Sequence, residues 1–470
     1  MAATPIHLVS KINNALTTIG YLDQSSLPTL TTPNSVRVRT QLISLSSNNL
    51  TYALAGDRFG WWSAYPVPTG TKLRPSSSTA TTAAAAKSQQ HQDEQGEDLN
   101  KKWGIVPAWG YAAVLESTHA SIEKGSLLWG FWPTSSHIFD LTLSHFTASE
   151  NGQQQPETHF QEVSEHRKGL MGMYNRYVLV TPPSPVELDL DSDLAAETVL
   201  ARPVFECGVL LESYTFHRER ATHPLGLPKG APANTIPGVG AWTEKDADLR
   251  KAVVISLSAG TKTARAFTWQ LARERDMRGE LESEGPKGLV QVTSVPDTLA
   301  DFGEGTKLEV KNVGYSEDDL KSVVEWVQGL EGVEKVVMVD FGAAASVTET
   351  LVNGFKSVSP GLVVLVMAVG NEAKVYAPEE IQARMASGQK LGKVQFNTSG
   401  VRDRAMEVEG AEKYFDGVEE CWKRCYGEKG LGEVKFGRYE GVEGEKGVEG
   451  AWKALCERRL KANEGVVVRL

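Results

Sequence analysis

The sequence holds few cysteines, and their positions leave little for a metal site or a disulfide framework. Four occur in 470 residues, and the first of them is Cys207. Cys421 and Cys425 share one face of a helix at i,i+4 spacing, and no second pair completes a structural zinc set. The nine histidines show no ligand spacing beside a carboxylate. The sequence therefore predicts a reduced chain without zinc, which we expect in the cytoplasm.

Long apolar runs and clustered cationic residues are also missing. The longest apolar run, 361–370, is far shorter than the roughly 20 residues that span a bilayer, and it suits a buried strand better. The N-terminal residues have no basic start followed by an apolar stretch, so no secretory signal is expected. A formal charge of −10 disfavours phosphate-rich partners, because they need clustered Lys and Arg. We therefore expect no nucleic acid and no membrane as partner.

The first third of the chain has the pattern of β-strands. Residues 36–45 alternate apolar and polar side chains before becoming apolar, and 110–116 and 126–131 predict two more strands. Between them, residues 75–100 are rich in Ser, Thr, Ala, Gln and acids, with almost no large apolar side chain. Such a stretch buries too little surface to offset the entropy of ordering, so it is predicted to be a disordered insertion. The sequence predicts a β-rich domain over 1–205.

From residue 251 the pattern changes to apolar strands that alternate with helices. Strands are predicted at 252–256, 288–293, 335–340 and 361–369. This alternation is typical of βαβ units and of a parallel sheet buried on both faces, so we expect an α/β fold. The predicted parallel-sheet domain covers residues 206–374.

The tail, 375–470, returns to mixed composition. Its Gly-, Glu- and Lys-rich segment 427–449 is predicted as a loop, followed by a helix over 448–461 and a closing strand over 465–470. We predict that this return segment completes the first domain, which is then split around the second.

Several short stretches fit the order of a small β domain, an α/β domain and a return to the first. They are Asn48–Gly56, Glu123–Gly130, Val333–Gly342, Ser359–Gly370, Glu449–Leu455 and Gly465–Val468. In these stretches the chain resembles the medium-chain dehydrogenase/reductase superfamily, above all its zinc-free quinone and enoyl reductases. The resemblance implies a GroES-like domain split around a Rossmann-type nucleotide-binding domain, with Gly342 and Gly370 beside the cofactor.

A narrower resemblance is carried by a second set of stretches. They are Asn48–Asn49, Trp132–His137, Tyr174–Tyr177, Arg202–Phe205 and Ser256–Ala264. On these the chain is similar to a fungal and bacterial group, the DUF2855 family. That resemblance implies no particular activity.

The turn after the first α/β strand departs from the superfamily pattern. In place of a glycine-rich turn the sequence has Ser-Ala-Gly-Thr-Lys-Thr-Ala at 258–264. Glycines there let backbone N–H groups approach a pyrophosphate at a helix N-terminus. Hydroxyls and an exposed lysine ammonium can replace those contacts; the alternative is a polar helix cap that binds nothing. The predicted phosphate contacts are Ser258, Gly260, Thr261, Lys262 and Thr263.

Thr293 and Ser294 stand at the end of the second α/β strand, where the resemblance implies an acid that holds the ribose 2′-hydroxyl of NAD. Without that acid a 2′-phosphate is not repelled, and both hydroxyls can donate to it. The sequence therefore favours NADP(H) as cofactor, with NAD(H) as the alternative. A second alternative is that the two residues only end a strand.

Three polar residues are candidates for catalysis. Asn48 and Tyr52 lie where the resemblance implies a donor to a substrate carbonyl, and an amide or phenol stabilises enolate charge without a shifted pKa. Tyr174 is the third candidate. Alternatively, the first two only close a turn, and Tyr174 only lines the core.

Together these features predict a zinc-independent, NADP(H)-dependent reductase of a quinone or an α,β-unsaturated carbonyl compound. The cofactor supplies the hydride, and the protein supplies position and hydrogen bonds. The alternative is a non-catalytic descendant that keeps the fold as a binding or scaffold module, which the lost glycines favour. A small molecule is the expected substrate, and superfamily analogy suggests a homodimer.

Deleting residues 75–100 should leave the melting temperature nearly unchanged, because most of the stretch, from Ser76 to Gly96, has nothing large and apolar to bury. Thermal unfolding of wild type and the deletion variant measures this. A loss of several degrees would show that the stretch packs against the folded part.

Overall fold

The structure is a computed structural model that describes residues 3–75, 98–146, 157–180, 188–228, 242–299 and 308–470. Nearly all of the predicted insertion at 75–100 lies outside these residues. Its last residues belong to the folded part, contrary to the prediction. The side chain of Asn100 accepts a hydrogen bond from the Val67 N–H at 2.7 Å and donates one to the Val67 carbonyl at 3.2 Å.

The β-rich part of the described chain forms a small sheet and a barrel. The small sheet holds β1 (Thr4–Ser10), β2 (Thr17–Leu22), β4 (Lys72–Leu73) and β5 (Trp103–Gly104). The barrel holds β3 (Ser35–Leu45), β6 (Pro107–Ser117), β7 (Leu127–Pro133), β8 (Phe139–His145), β9 (His159–Glu162) and β10 (Arg176–Val180). It closes because β3 pairs with β6 on one side and with β8 on the other.

The second part is a parallel sheet. Its strands are β11 (Ala252–Leu257), β12 (Gly288–Val292), β13 (Glu309–Val313), β14 (Lys335–Asp340), β15 (Val363–Ala368) and β16 (Val394–Gln395). Their order is β13-β12-β11-β14-β15-β16, and all pairs are parallel. This is the Rossmann order, in which the chain starts in the middle of the sheet and winds to each side in turn. The predicted α/β fold is confirmed.

Helices cover both faces of this sheet, which explains the continuous apolar runs of its strands. Along β11, Val253 and Ile255 belong to one core cluster and Ala252 and Val254 to another.

None of the helices in the described ranges is long and apolar enough to cross a membrane. The helices are α1 (Ser47–Leu54), α2 (Trp61–Ala64), α3 (Asp193–Leu210), α4 (Glu244–Ala247), α5 (Lys262–Trp269), α6 (Arg275–Met277), α7 (Leu281–Glu284), α8 (Glu317–Gly329), α9 (Ala345–Val358), α10 (Pro378–Lys390), α11 (Thr398–Glu409), α12 (Ala411–Gly427) and α13 (Val448–Cys456). Short 3₁₀ turns lie at Leu99–Lys101, Glu165–Arg167, Gly172–Asn175 and Pro296–Thr298, and π turns lie at Leu211–Thr215 and Gln270–Glu274.

The end of the chain returns to the barrel. β18 (Glu464–Arg469) pairs antiparallel with the second half of β3, and β17 (Lys435–Glu440) pairs parallel with β18. The predicted fold class, a GroES-like β-rich domain split around a Rossmann-type sheet, is confirmed. The predicted loop at 427–449 is wrong, because it contains β17, and the helix predicted over 448–461 ends earlier, at Cys456.

The parallel-sheet layer also extends further along the chain than the predicted bound of 374. β16 adds a strand to the sheet, and α11 and α12 pack on the same core cluster as the inner strands. The residues from 375 to 427 therefore cover the sheet, and the return to the barrel begins with β17.

Helix α3 joins the two parts, because it packs against β3, β6 and β18 of the barrel side and against α5 of the sheet side. A buried carboxylate, Glu206, holds it. The Arg402 guanidinium donates to the two Glu206 oxygens at 2.7 and 2.8 Å, and the Tyr414 hydroxyl donates at 2.7 Å. Burial on its own raises the pKa of Glu206, but Arg402 and Tyr414 outweigh it, so the pKa lies below its ordinary value. Glu206 is therefore a buried anion that fixes α3.

Glu206→Gln should lower the free energy of unfolding by about 3–5 kcal/mol, because it leaves the buried Arg402 without a carboxylate. Chemical unfolding in urea measures this. Glu419→Gln is the matched control: it removes a partly exposed pair with Arg202, 2.6 Å long, at the cost of less than about 1 kcal/mol. Equal losses in the two variants would contradict the role given to Glu206.

Candidate functional site

A cleft of about 670 Å³ opens at the carboxyl ends of the parallel strands. It lies where β11 and β14 adjoin, the point at which the strand order reverses and where ligands bind in open α/β sheets. The turns after β11 and β14 line one side of the cleft. The start of α1, one face of α3 and residues of 455–464 line the other side. The cleft therefore separates the sheet from the barrel.

The structure gathers most of the predicted cofactor residues and one predicted catalytic residue at this cleft. Those that line it are Asn48, Ser258, Thr261, Lys262, Thr263, Thr293, Ser294 and Gly342. They come from α1, from the turn between β11 and α5, and from the ends of β12 and β14. Their roles toward a cofactor stay a prediction.

Helix α5 begins at the cleft, in the turn that replaces the glycine-rich pattern. Thr261 caps the helix, since its hydroxyl accepts from the Ala264 N–H at 3.3 Å. Ser258 has a left-handed backbone with φ of 58°, and its hydroxyl lies 3.2 Å from the Tyr315 hydroxyl. The remaining N–H groups of the first turn and the helix dipole favour an anion here.

Lys262 is half-buried, and its ammonium already has partners. It donates to the main-chain carbonyl of Ala462 at 3.2 Å and to that of Glu464. Burial lowers its pKa to about 8, with a smaller contribution from Arg265. Among the residues that the structure describes, no carboxylate forms an ion pair with Lys262. The expectation of an exposed lysine is therefore wrong, because the return segment covers it.

Gly260 packs rather than opening toward the cleft. A Cβ there would lie 2.7 Å from the Thr293 hydroxyl oxygen and 2.9 Å from the Ala462 Cβ. The two glycines after β14 and β15 allow a similar close approach. Gly342, with φ of 117°, lies against the Asn371 carbonyl, and a Cβ on Gly370 would lie 2.6 Å from the Phe341 carbonyl oxygen. Gly370 therefore supports the wall of the cleft from behind.

Asp340, the last residue of β14, fixes that wall. Its Oδ1 accepts from the N–H groups of Gly342 at 3.0 Å and Ala343 at 2.8 Å. Its Oδ2 accepts from the Lys393 ammonium at 2.8 Å, and the carboxylate is fully buried. Our interpretation of the sequence missed this residue, although an acid at the end of an apolar strand is a usable signal.

The structure does not bring the other two predicted catalytic residues to the cleft. Tyr52 and Tyr174 lie in a buried aromatic cluster inside the barrel, where their rings are 5.7 Å apart and both contact Phe131. The Tyr52 hydroxyl accepts from the Trp109 indole at 3.2 Å. Burial raises the pKa of Tyr52 to about 12 and that of Tyr174 well above its ordinary value. Their environment matches the core-lining alternative.

The cleft also holds charged residues that sequence reasoning missed. Arg458 and Lys461 come from the return segment, and Glu372 comes from the loop after β15. The Arg458 guanidinium and the Glu372 carboxylate lie 3.0 Å apart. No local pattern marks Arg458 and Lys461, because only the pairing of β18 with β3 brings their segment to the sheet. Within the described ranges, no group of three or more His, Cys, Asp or Glu residues is placed to hold a metal ion.

Comparisons with known proteins give one match over most of the chain. Residues 43–461 match the family model described as a protein of unknown function, DUF2855. No curated protein matches the chain.

Solved structures give weak likenesses. CurA from Vibrio vulnificus in complex with NADPH is 10% identical with a TM-score of 0.46, over 96% of this chain and 94% of that one. Mycobacterial Rv1454c complexed with NADPH is 13% identical with a TM-score of 0.45, over 99% of this chain and 100% of that one. Likenesses at this level say nothing about the cofactor or substrate of this chain.

The lowered pKa of Lys262 predicts a pH-dependent stability. Between about pH 8 and pH 10.5 the unfolded chain holds this proton and the folded chain does not, so the contribution of Lys262 to the free energy of unfolding rises with pH. We expect wild type to gain stability relative to Lys262→Met across this window. Urea unfolding at several pH values measures the difference, with the exposed Lys413→Met as control. A difference that stays flat would contradict the lowered pKa.

Proposed function

The chain belongs to the DUF2855 family of proteins of unknown function, and from that premise we propose that it is an NADP(H)-dependent oxidoreductase that works without zinc. The proposal rests on the cleft of this chain, since the family supplies no activity. The observation that carries it is a helix N-terminus at the switch point of a Rossmann-type sheet, with two cations in its first turn whose charge carboxylates offset only from a distance.

The two cations are Lys262 and Arg265. Lys262 donates only to peptide carbonyls. The buried Arg265 donates to the carbonyls of Gly260, Thr298 and Leu431 and to the Thr298 hydroxyl. Neither forms an ion pair with a carboxylate in the part of the chain that the structure describes. Their charge, added to that of the helix N-terminus, favours a pyrophosphate in the cleft.

The end of β12 supports NADP(H) over NAD(H). Thr293 and Ser294 line the cleft there, and no acid stands at that strand end to repel a 2′-phosphate. The Thr293 hydroxyl accepts from the Val295 N–H at 3.3 Å, which leaves its proton for a ligand. NAD(H) is expected to bind more weakly, because it lacks the phosphate that these hydroxyls would contact.

Asn48 is the residue we propose for the substrate. It lies on the first turn of α1, whose N-terminus is fixed because the Ser46 hydroxyl accepts from the Asn48 N–H at 3.3 Å. Its side-chain amide can donate to a carbonyl oxygen on which negative charge develops. The bound cofactor would supply a hydride to the β-carbon of an α,β-unsaturated carbonyl compound or to a quinone, and a proton from water would complete the reduction. We therefore propose a quinone or an α,β-unsaturated carbonyl compound as the substrate class.

One observation favours a second candidate, a fold kept as a binding or scaffold module without catalysis. The Lys262 ammonium is occupied by carbonyls of the chain itself, and the hydroxyls of Tyr52 and Tyr174 lie buried away from the cleft. A module of this kind would bind no dinucleotide.

Titration with NADPH decides between the two, with thermal shift and tryptophan fluorescence as readouts. We expect wild type to bind NADPH more tightly than NADH. Lys262→Ala should weaken NADPH about ten- to a hundredfold, because a charge-assisted phosphate contact contributes on the order of 1.5–3 kcal/mol. Lys413→Ala, an exposed lysine on α12, should bind as wild type does. If wild type binds neither nucleotide at millimolar concentration, the oxidoreductase proposal fails and the second candidate stands.

A further inference from the structure

The return segment Arg458–Glu464 touches the parallel-sheet part on two sides of the cleft. This segment connects α13 to β18, so it belongs to the barrel by pairing. Its residues nevertheless line the cleft opposite the turn between β11 and α5. The segment therefore contacts the parallel-sheet part at two places around the cleft, the turn before α5 and the loop after β15.

The first bridge is an ion pair. The Arg458 guanidinium lies 3.0 Å from the Glu372 carboxylate, and the two side chains are 59% and 18% exposed. Arg458 adopts a left-handed backbone with φ of 57°, a conformation that most side chains avoid. Lys374 also lies 3.7 Å from Glu372, but its ammonium is closer to Glu380, at 2.9 Å. Arg458 is therefore the partner of Glu372 that comes from across the cleft.

The second bridge is the pair of carbonyls on Lys262. The turn that presents them is closed on itself: the Glu464 N–H donates to the Lys461 carbonyl at 3.0 Å, and the Lys461 N–H donates to the Glu464 carboxylate at 3.0 Å. Ala462, at the tip of this turn, packs against Gly260. The turn therefore covers the site where a pyrophosphate would meet Lys262.

We propose that these two bridges form a latch, which holds Arg458–Glu464 over the α5 turn until a dinucleotide releases it. The proposal rests on the proposed function, because a phosphate of the bound dinucleotide has to replace the two carbonyls as the partner of the Lys262 ammonium. The ammonium is charged in both states, but a phosphate oxygen is an anion and the two carbonyls are neutral dipoles, so the exchange favours the ligand. The ion pair is largely exposed on its arginine side and opens at low cost. Because only open molecules bind the dinucleotide, the apparent dissociation constant equals the intrinsic one divided by the open fraction.

Two variants open the first bridge with opposite changes of charge. Glu372→Gln removes an anion, and Arg458→Asn removes a cation while asparagine tolerates the left-handed backbone. The latch predicts that both variants bind NADPH tighter than wild type, by about two- to fivefold, which is the range of an exposed ion pair. Glu457→Gln is the control, since its partners Arg459 and Lys453 lie on its own side of the cleft, and it should bind as wild type does.

Hydrogen exchange of peptides that cover 458–464 gives a readout without nucleotide. Exchange should be faster in both variants than in wild type and in Glu457→Gln, and NADPH should speed it in wild type. Opposite changes in affinity would show that the pair acts through its charge alone and would overturn the latch. Unchanged hydrogen exchange in both variants would also overturn the latch. If wild type binds no NADPH, the proposed function fails, and faster exchange in the two variants still shows that the ion pair holds the segment.

Discussion

The fold depends on how one strand, β3, shares its two edges. It pairs with β6 along one edge, and along the other its first half pairs with β8 and its second half with β18. The β8 pairing closes the barrel, and the β18 pairing returns the end of the chain to it. Register shifts after Arg37 and Thr40 bend the strand, which lets its two halves face different partners. The pairing of β18 with β3 begins at Val466, two residues after the turn that covers Gly260, so it brings that turn to the cleft.

Buried carboxylates set the second constraint. Glu206 holds α3 against α11 and α12, and Asp340 holds the turn after β14 in place. Each is satisfied by a cation and by hydrogen-bond donors, which offset the cost of burying it. Two elements that line the cleft, α3 and the turn after β14, are therefore held by buried carboxylates. The segment Arg458–Glu464, which also lines it, is held by one ion pair and two carbonyl contacts.

The central strands could be predicted from the sequence because their burial on two faces leaves unbroken apolar runs, as at 252–257 and 335–340. Edge strands could not be predicted, because β13 and β17 are partly exposed. Their short mixture of polar and apolar side chains resembles the composition of a loop. Among candidate site residues, most of those close in sequence to a strand end line the cleft, as Ser258 and Thr293 do, whereas Gly260 and Gly370 pack behind it. Tyr52 did not, although it lies one turn after Asn48, because the side-chain direction on α1 depends on which face the barrel buries. Lys262 lines the cleft, but its partners lie in a segment that only tertiary pairing brings near.

The pairing of β3 with β18 also has a consequence for how the molecule is made. All the other strands from β4 to β17 lie between these two strands in the sequence, so on the ribosome the second half of β3 keeps one edge open until β18 has emerged. An open edge of this kind is a template for pairing with other chains. The nascent protein therefore carries an exposed strand until β18 is made, and the pairing that covers this edge also brings Ala462 onto Gly260 and completes the cleft.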